Sequence, residues 1–390
     1  MKKTIKLAVV AALALGATSA FATNGDVLIG LGAKARGMAG TGIGMSHGAE
    51  SALTNPALIT SVKKTEVSFG GLIFMPDVSY DNGTGAGYKD SQADMNIVPE
   101  VSLASKVTDN FYAGIGMWGT AGMGVDYRDE QANFKMVTNL QLMQFGVPLA
   151  YKTNGFSVAV APIIQYGSLD INFDTNGSNN TGGGVSQDIE FGYTLGASYE
   201  MSGLTVGAVY KSRIDMNYDK QLSTAGAQFG LTLGDKLSIP AEYGLGASYV
   251  YNESTIAIDY KRIQYSDAKG YKDFKWDDQD VISVGYEYNA KNWAARAGYN
   301  YATSPISDQG VANTSINTLN LLGFPGIVES HYAVGGTYDI TNQASVDLAV
   351  TYAAENTQEY TASNFPNPGT RQTKVKHSQT GVSVQLNYDF

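Results

Sequence analysis

The 390-residue sequence has no cysteine, three histidines and a shortage of basic residues, with 26 lysines and arginines against 36 aspartates and glutamates. Without cysteine, neither disulfides nor thiolate metal sites can hold the chain together. The net charge of −10 leaves no basic face for a polyanion, so nucleic acid is not an expected partner. After residue 22 there is also no apolar run near the roughly 20 residues that a helix needs to cross a bilayer, and the mean hydropathy is −0.14. None of His47, His331 and His377 stands beside a nucleophile motif. His331 and Asp339 would share a face, but their eight-residue separation is roughly 26 Å along a strand. Neither catalytic nor metal-binding residues are expected, and no cofactor is.

The beginning of the chain reads as an export signal. Met1-Lys2-Lys3 precedes an apolar run from Leu7 to Ala17, and Ala20-Phe21-Ala22 supplies small residues for cleavage, so residues 1–22 are expected to be removed. The run is too short for a spanning helix. Loss of Lys2, Lys3 and Lys6 with no acid takes the net charge from −10 to −13.

What is abundant is glycine and tyrosine, 45 and 25 residues, together with a two-residue period. Val382, Val384, Leu386, Tyr388 and Phe390 alternate with Ser383, Gln385, Asn387 and Asp389. The same rhythm recurs at Val346, Leu348, Val350 and Tyr352, and at Ile282, Val284, Tyr286 and Tyr288. Alternation of this kind hides membrane-facing hydrophobicity from any averaged hydropathy.

Strands are expected near residues 65–78, 98–107, 111–120, 135–152, 155–173, 189–201, 203–217, 239–251, 254–266, 279–289, 292–303, 330–340, 343–354 and 377–390. Tight links such as Thr108-Asp109-Asn110, Thr153-Asn154, Ser202-Gly203 and Asn252-Glu253 alternate with long ones. Short periplasmic turns, long external loops and an even strand number belong together in outer-membrane barrels. The fold class is therefore all-β: a 14-stranded antiparallel transmembrane β-barrel over residues 63–390, in the outer membrane of a Gram-negative bacterium. A soluble barrel or sandwich would also alternate, but the export signal and the strand number argue against it. Tyr251, Tyr288, Tyr338, Tyr388 and Phe390 fall near the turn side, where an interfacial aromatic girdle belongs.

Residues 23–62 do not alternate. They contain Gly37-Met38-Ala39-Gly40-Thr41-Gly42-Ile43-Gly44, small enough to pack as a plug inside a lumen, although a periplasmic tail has the same composition. The stretch Ala35-Arg36-Gly37-Met38-Ala39-Gly40, followed by Asn55-Pro56-Ala57-Leu58-Ile59-Thr60, resembles the N-terminal hatch of the long-chain fatty acid transporter (FadL) family, whose relatives include aromatic-hydrocarbon uptake channels. The resemblance continues through Pro99-Glu100 and Ala344-Ser345-Val346-Asp347 to Phe390, covering essentially the whole mature chain, though only the hatch motif is distinctive. Arg36, Gly37, Asn55, Pro56 and Ala57 are the residues that carry it.

The family implies capture of a hydrophobic solute by external loops, passage to a lumen site and release when the hatch shifts. In its best-understood members, release is sideways through an inward kink in the third strand. The third strand here contains Gly114, Gly116, Gly119, Gly122 and Gly124; the resemblance places the kink near Gly119 and Gly122, and Gly124 extends the flexible stretch. A glycine-rich strand end leading into a loop is the alternative.

By parity, Glu100, Lys106, Lys211, Asp259, Lys261, Glu287, Arg296 and Asp347 line the interior. Lys211, Lys261 and Arg296 are candidate partners for a solute carboxylate, unless Asp259 and Glu287 neutralise them within the wall. Leu321, Leu322 and Phe324 form an apolar patch in a long external link, a candidate landing site. Asp277, Asp278 and Asp280 form an acidic loop stretch, read as solvated. The expected function is uptake of fatty acids or aliphatic or aromatic hydrocarbons by a monomer embedded among lipid and lipopolysaccharide. A general porin and an adhesive surface barrel are the competing functions.

Overall fold

A computed structural model describes residues 23–174, 182–364 and 369–390. The expected signal, residues 1–22, lies outside the described residues. Fourteen strands form the wall: β1 Thr65–Asp81, β2 Asn96–Lys106, β3 Phe111–Asp126, β4 Val137–Gly146 resuming as Leu149–Thr153, β5 Phe156–Asn172, β6 Ser186–Met201 and β7 Leu204–Lys211. They continue as β8 Glu242–Tyr251, β9 Ser254–Ile263, β10 Gln279–Asn289, β11 Trp293–Ala302, β12 Ser330–Asp339, β13 Ala344–Ser363 and β14 Thr370–Asp389. Each pairs antiparallel with the next, and β14 returns to β1 with Lys374 opposite Asp81 and Asp389 opposite Glu66. Closure removes the free edges that lipid would not tolerate.

The two faces follow from the pleat. On β10, Ile282, Val284, Tyr286 and Tyr288 point outward and are exposed, whereas Val281, Ser283 and Glu287 are buried inside. Tyr251, Tyr338, Tyr388 and Phe390 project outward at the short-turn end. Two turns there, Asn154-Gly155 (φ 49° and 80°) and Ser202-Gly203 (φ 49° and 84°), have both central residues left-handed, as a two-residue hairpin link requires.

The structure departs from the expected strands chiefly in five places, one of them β3, which runs on past the expected residue 120 to Asp126. β7 ends at Lys211, and Ile214–Asn217 instead pairs with Lys236–Ile239 in a separate external hairpin. β8 begins at Glu242, beyond Pro240, which lacks the N–H a ladder needs. β4 is interrupted at Val147-Pro148. The largest departure is the β13–β14 hairpin, in which both strands are 20 residues long and a register shift falls between Ala353 and Asn356. Its outer half turns Glu355, Thr357 and Glu359 outward and is apolar only at a few inward places such as Tyr360, Ala362 and Val375, too sparse for hydrophobic alternation to reveal it.

Substituting Val284→Arg at mid-strand on the lipid face should lower stability by about 2–4 kcal/mol, against roughly 0–1 kcal/mol for Tyr288→Arg near the turns. Urea unfolding in lipid vesicles measures both.

Candidate functional site

Residues 23–62 are largely buried against inward-facing residues of the wall, and each distinctive residue has a physical reason. Asn55 accepts from the N–H of Ala57 (3.1 Å), capping the short turn Pro56–Ser61, in which Pro56 stands where a missing N–H costs nothing. Its amide also donates to the carbonyls of Ile43 (2.8 Å) and Ala197 on β6 (3.3 Å), tying turn, glycine run and wall together. Gly37 lies against Gly335 of β12, where a Cβ would come within 3.2 Å of the neighbouring Cα. Asp259 of β9 receives the N–H groups of Gly42 (2.7 Å), Ile43 (2.8 Å) and Gly44 (3.3 Å), a nest of amides that only so bare a backbone can form.

Arg36 is fully buried and forks onto Glu100 of β2, with Nη1 donating to Oε2 at 2.8 Å and Nη2 making a shorter contact to Oε1. The N–H of Gly32 donates to the same carboxylate (3.2 Å), and Nη1 also reaches Ser383 of β14 (3.2 Å). A second polar group lies toward the turn end: Lys34 stands 3.8 Å from Glu50, 3.8 Å from Glu66 and 3.9 Å from Asp347. Burial pushes the Glu50 carboxyl up to about 8, with Lys34 opposing that rise.

Glu100 marks the end of a ladder in the wall. The β2–β3 ladder runs from Lys106 opposite Tyr112 to Glu100 opposite Trp118 and stops there, although both strands continue. The next residue on β2 is Pro99, beyond the last residue that pairs with β3, a place where a proline is tolerated. On β3, Gly119 pairs with Met143 of β4 and Ala121 with Leu142, so Thr120 is an inserted residue and the strand bends. Beyond the bend, β3 meets the lumen segment: Ala121 bridges Val27, and the N–H of Gly122 donates to the carbonyl of Asp26 (3.2 Å). Gly119 has room for nothing larger, since a Cβ would lie 2.4 Å from Val98. Gly122 and Gly124 lie in the bent portion.

A cavity adjoins the bend, with about 830 Å³ of unfilled space including its mouth. Val27, Leu28, Ile29 and Ile263 give it an apolar side; Lys211, Lys261 and Glu242 give it a charged one. Lys211 contacts Glu242 at 3.0 Å and Lys261 contacts it at 3.5 Å, so two ammonium groups share one carboxylate. Asp259, which sequence parity offered as their neutraliser, accepts the glycine amides and lines the same cavity as the two lysines. Glu242 was the residue missed. Its signal was present, because it is in phase with the inward Gly244, Gly246 and Ser248.

The third candidate, Arg296, lies elsewhere. It is held by Glu287 (2.6 Å) and Thr337 (2.7 Å), with Asp347 at 3.9 Å, in the polar group around Lys34. Leu321, Leu322 and Phe324 correct the expectation of a surface patch. They belong to the helix Thr314–Gly323 and its exit, and all three side chains are fully buried beneath the external loops, with Phe324 stacked on Phe274 at 5.8 Å. A helix interposed in the long link turned that apolar run inward. His47 bonds the carbonyl of Thr41 (2.7 Å), and His377 bonds that of Pro325 (2.8 Å). Among the described residues, no group of three His, Cys, Asp or Glu side chains is placed to hold a metal.

The sequence profile of a family described as outer membrane protein transport protein (OMPP1/FadL/TodX) matches residues 8–390. A 47 kDa outer membrane protein of Pasteurella multocida is 23% identical, over 79% of this chain and 83% of that one. An uncharacterized Chlorobium limicola protein is 42% identical over 84 residues, 21% of this chain and 41% of its own length. Among solved structures, a Pseudomonas aeruginosa FadL homologue covers 94% of this chain and 100% of its own, with a TM-score of 0.73 at 16% identity. The P. putida toluene transporter TodX covers 93% and 99%, with a TM-score of 0.68 at 17% identity. At such identities the structural likeness speaks for the fold.

Replacing Glu100→Gln leaves a buried guanidinium without its carboxylate and should weaken seating of residues 23–62 by about 3–5 kcal/mol. Limited proteolysis of the lumen segment would show faster cleavage, and the added change Arg36→Met should recover part of the loss.

Proposed function

The chain belongs to the outer membrane protein transport family OMPP1/FadL/TodX, and on that premise we propose that it takes up hydrophobic molecules, holding them in the lumen cavity and releasing them sideways between β2 and β3. The observation that carries this reading is the end of the ladder at Glu100 and Trp118, with the rest of β3 turned toward Val27 and away from β2. A lateral exit needs a gap whose backbone groups are not stranded in lipid. The lumen segment supplies partners at the bend, and the cavity lies directly behind it.

Fatty acids fit the cavity best. Lys211 and Lys261 both stand at the cavity on Glu242, and a desolvated solute carboxylate would find two ammonium groups there, while the tail lies along Val27, Ile29 and Ile263. A second reading is an uncharged hydrocarbon such as toluene, the solute for which the P. putida relative is named, seated on the apolar side alone. A general porin would need the lumen clear of residues 23–62, and adhesion would not call for a cavity at all. In this reading Arg36 and Asn55-Pro56-Ala57 hold the hatch, and hatch movement accompanies release.

Uptake of labelled fatty acid and labelled toluene by cells with and without the protein tests the proposal; uptake of neither overturns it. The double change Lys211→Met with Lys261→Met should cut fatty acid uptake about tenfold, the effect of losing one charge-assisted hydrogen bond, and leave toluene unchanged. Gly122→Phe should lower uptake of both while heat-modifiable migration on gels shows a normally assembled barrel. Full uptake by an assembled Gly122→Phe protein would count against the lateral exit.

A further inference from the structure

Asp26 is a buried carboxylate that the transport reading leaves without a task. It is 1% exposed, and its two oxygens accept hydrogen bonds from Tyr265 (Oδ1, 2.6 Å) and Tyr271 (Oδ2, 2.6 Å). The N–H of Asp26 donates back to the Tyr265 hydroxyl (3.1 Å). This close approach depends on Gly25, at φ 65°, where a Cβ would lie 2.5 Å from that hydroxyl oxygen.

Both tyrosines belong to the external link between β9 and β10. With Trp276 they form an aromatic cluster whose ring centroids are 4.9–5.2 Å apart. Trp276 Nε1 donates to Asn320 (3.1 Å) in the helix Thr314–Gly323, and Asn320 donates to the carbonyl of Phe274 (2.9 Å). The side chain of Asp26 is thereby held by a cap made from two external links. Its backbone is held by the bend, through the Gly122 N–H on its carbonyl and the Val27–Ala121 bridge one residue on.

We propose that Asp26 is a positioning residue coupling the external cap to the bend in β3. A solute that parts Tyr271 from Asp26 as it passes beneath the cap also loosens the grip of the lumen segment on Gly122, so entry above and release at the side are linked through one residue. The assignment rests on lateral release, and it adds the link by which the outer face governs the gap. A carboxylate suits the task because its two oxygens receive two separate hydroxyls, and each bond is directional and broken by a small displacement.

The chain has no cysteine, so one thiol can be introduced as a reporter. In the full-length protein in detergent, Ala121→Cys reports exposure of the bend by its rate of maleimide labelling, and Ala349→Cys, buried on β13, serves as the remote comparison. Tyr271→Phe removes one bond to Asp26 while keeping the ring. It should raise labelling of A121C about fivefold, the population change expected from losing one buried hydrogen bond, with A349C unaffected. Asp26→Asn should do the same, and the double variant should add little to either single change, as expected for residues acting through one contact. Labelling of A121C that stays within about twofold in both single variants overturns the coupling, as does equal acceleration at both reporters, which marks general loosening. If cells expressing the unaltered protein take up neither solute, the transport reading falls, and the labelling still decides the coupling.

Discussion

Inside a bilayer every backbone N–H and C=O must find a partner within the protein, and the rest of this structure follows from that demand. It requires a closed wall, which β14 completes against β1. It also makes any interruption of the wall conspicuous. The stretch of β3 beyond Trp118 gives up β2 but not its hydrogen bonding altogether, because β4 pairs with one side and Val27 and Asp26 meet the other. The lumen segment is therefore part of the wall's accounting as well as an obstruction within it.

The same demand explains why the charges inside are so specifically matched. Asp259 takes backbone amides, Glu100 takes a guanidinium, and Glu242 takes two ammonium groups. The first and last of these groupings face the same open space, with Asp259, Glu242, Lys211 and Lys261 all lining one cavity. Two ammonium groups beside open space are where a carboxylate guest would find a partner.

The barrel was legible because lipid imposes alternation: β10 and the inner halves of β13 and β14 announce themselves by a greasy residue at every second place. The outer half of the last hairpin was not legible, since Glu355 to Glu359 stand beyond the bilayer, where neither face needs to be apolar. Arg36 and Asn55-Pro56-Ala57 could be picked out by resemblance, but their partners could not, because Glu100 and Ala197 are distant in sequence. For the same reason parity could place Lys211, Lys261 and Arg296 on the inner face without showing that Arg296 joins a different group. Leu321, Leu322 and Phe324 misled because an apolar run in a long link reads alike whether it meets water or is folded beneath a helix.

The order of the chain gives the lumen segment a further significance. Thr23 and Ala33 donate their N–H groups to Gln379 (3.0 Å) and Gln385 (3.2 Å), and Arg36 reaches Ser383 (3.2 Å), all on the final strand. Residues 23–36 are thus held by the strand at which the cylinder shuts. A cylinder that sealed with this segment left outside would enclose Gln379, Ser383 and Gln385 with those partners missing. The closing strand thus carries two loads at once, its backbone completing the cylinder and its inward side chains holding the segment.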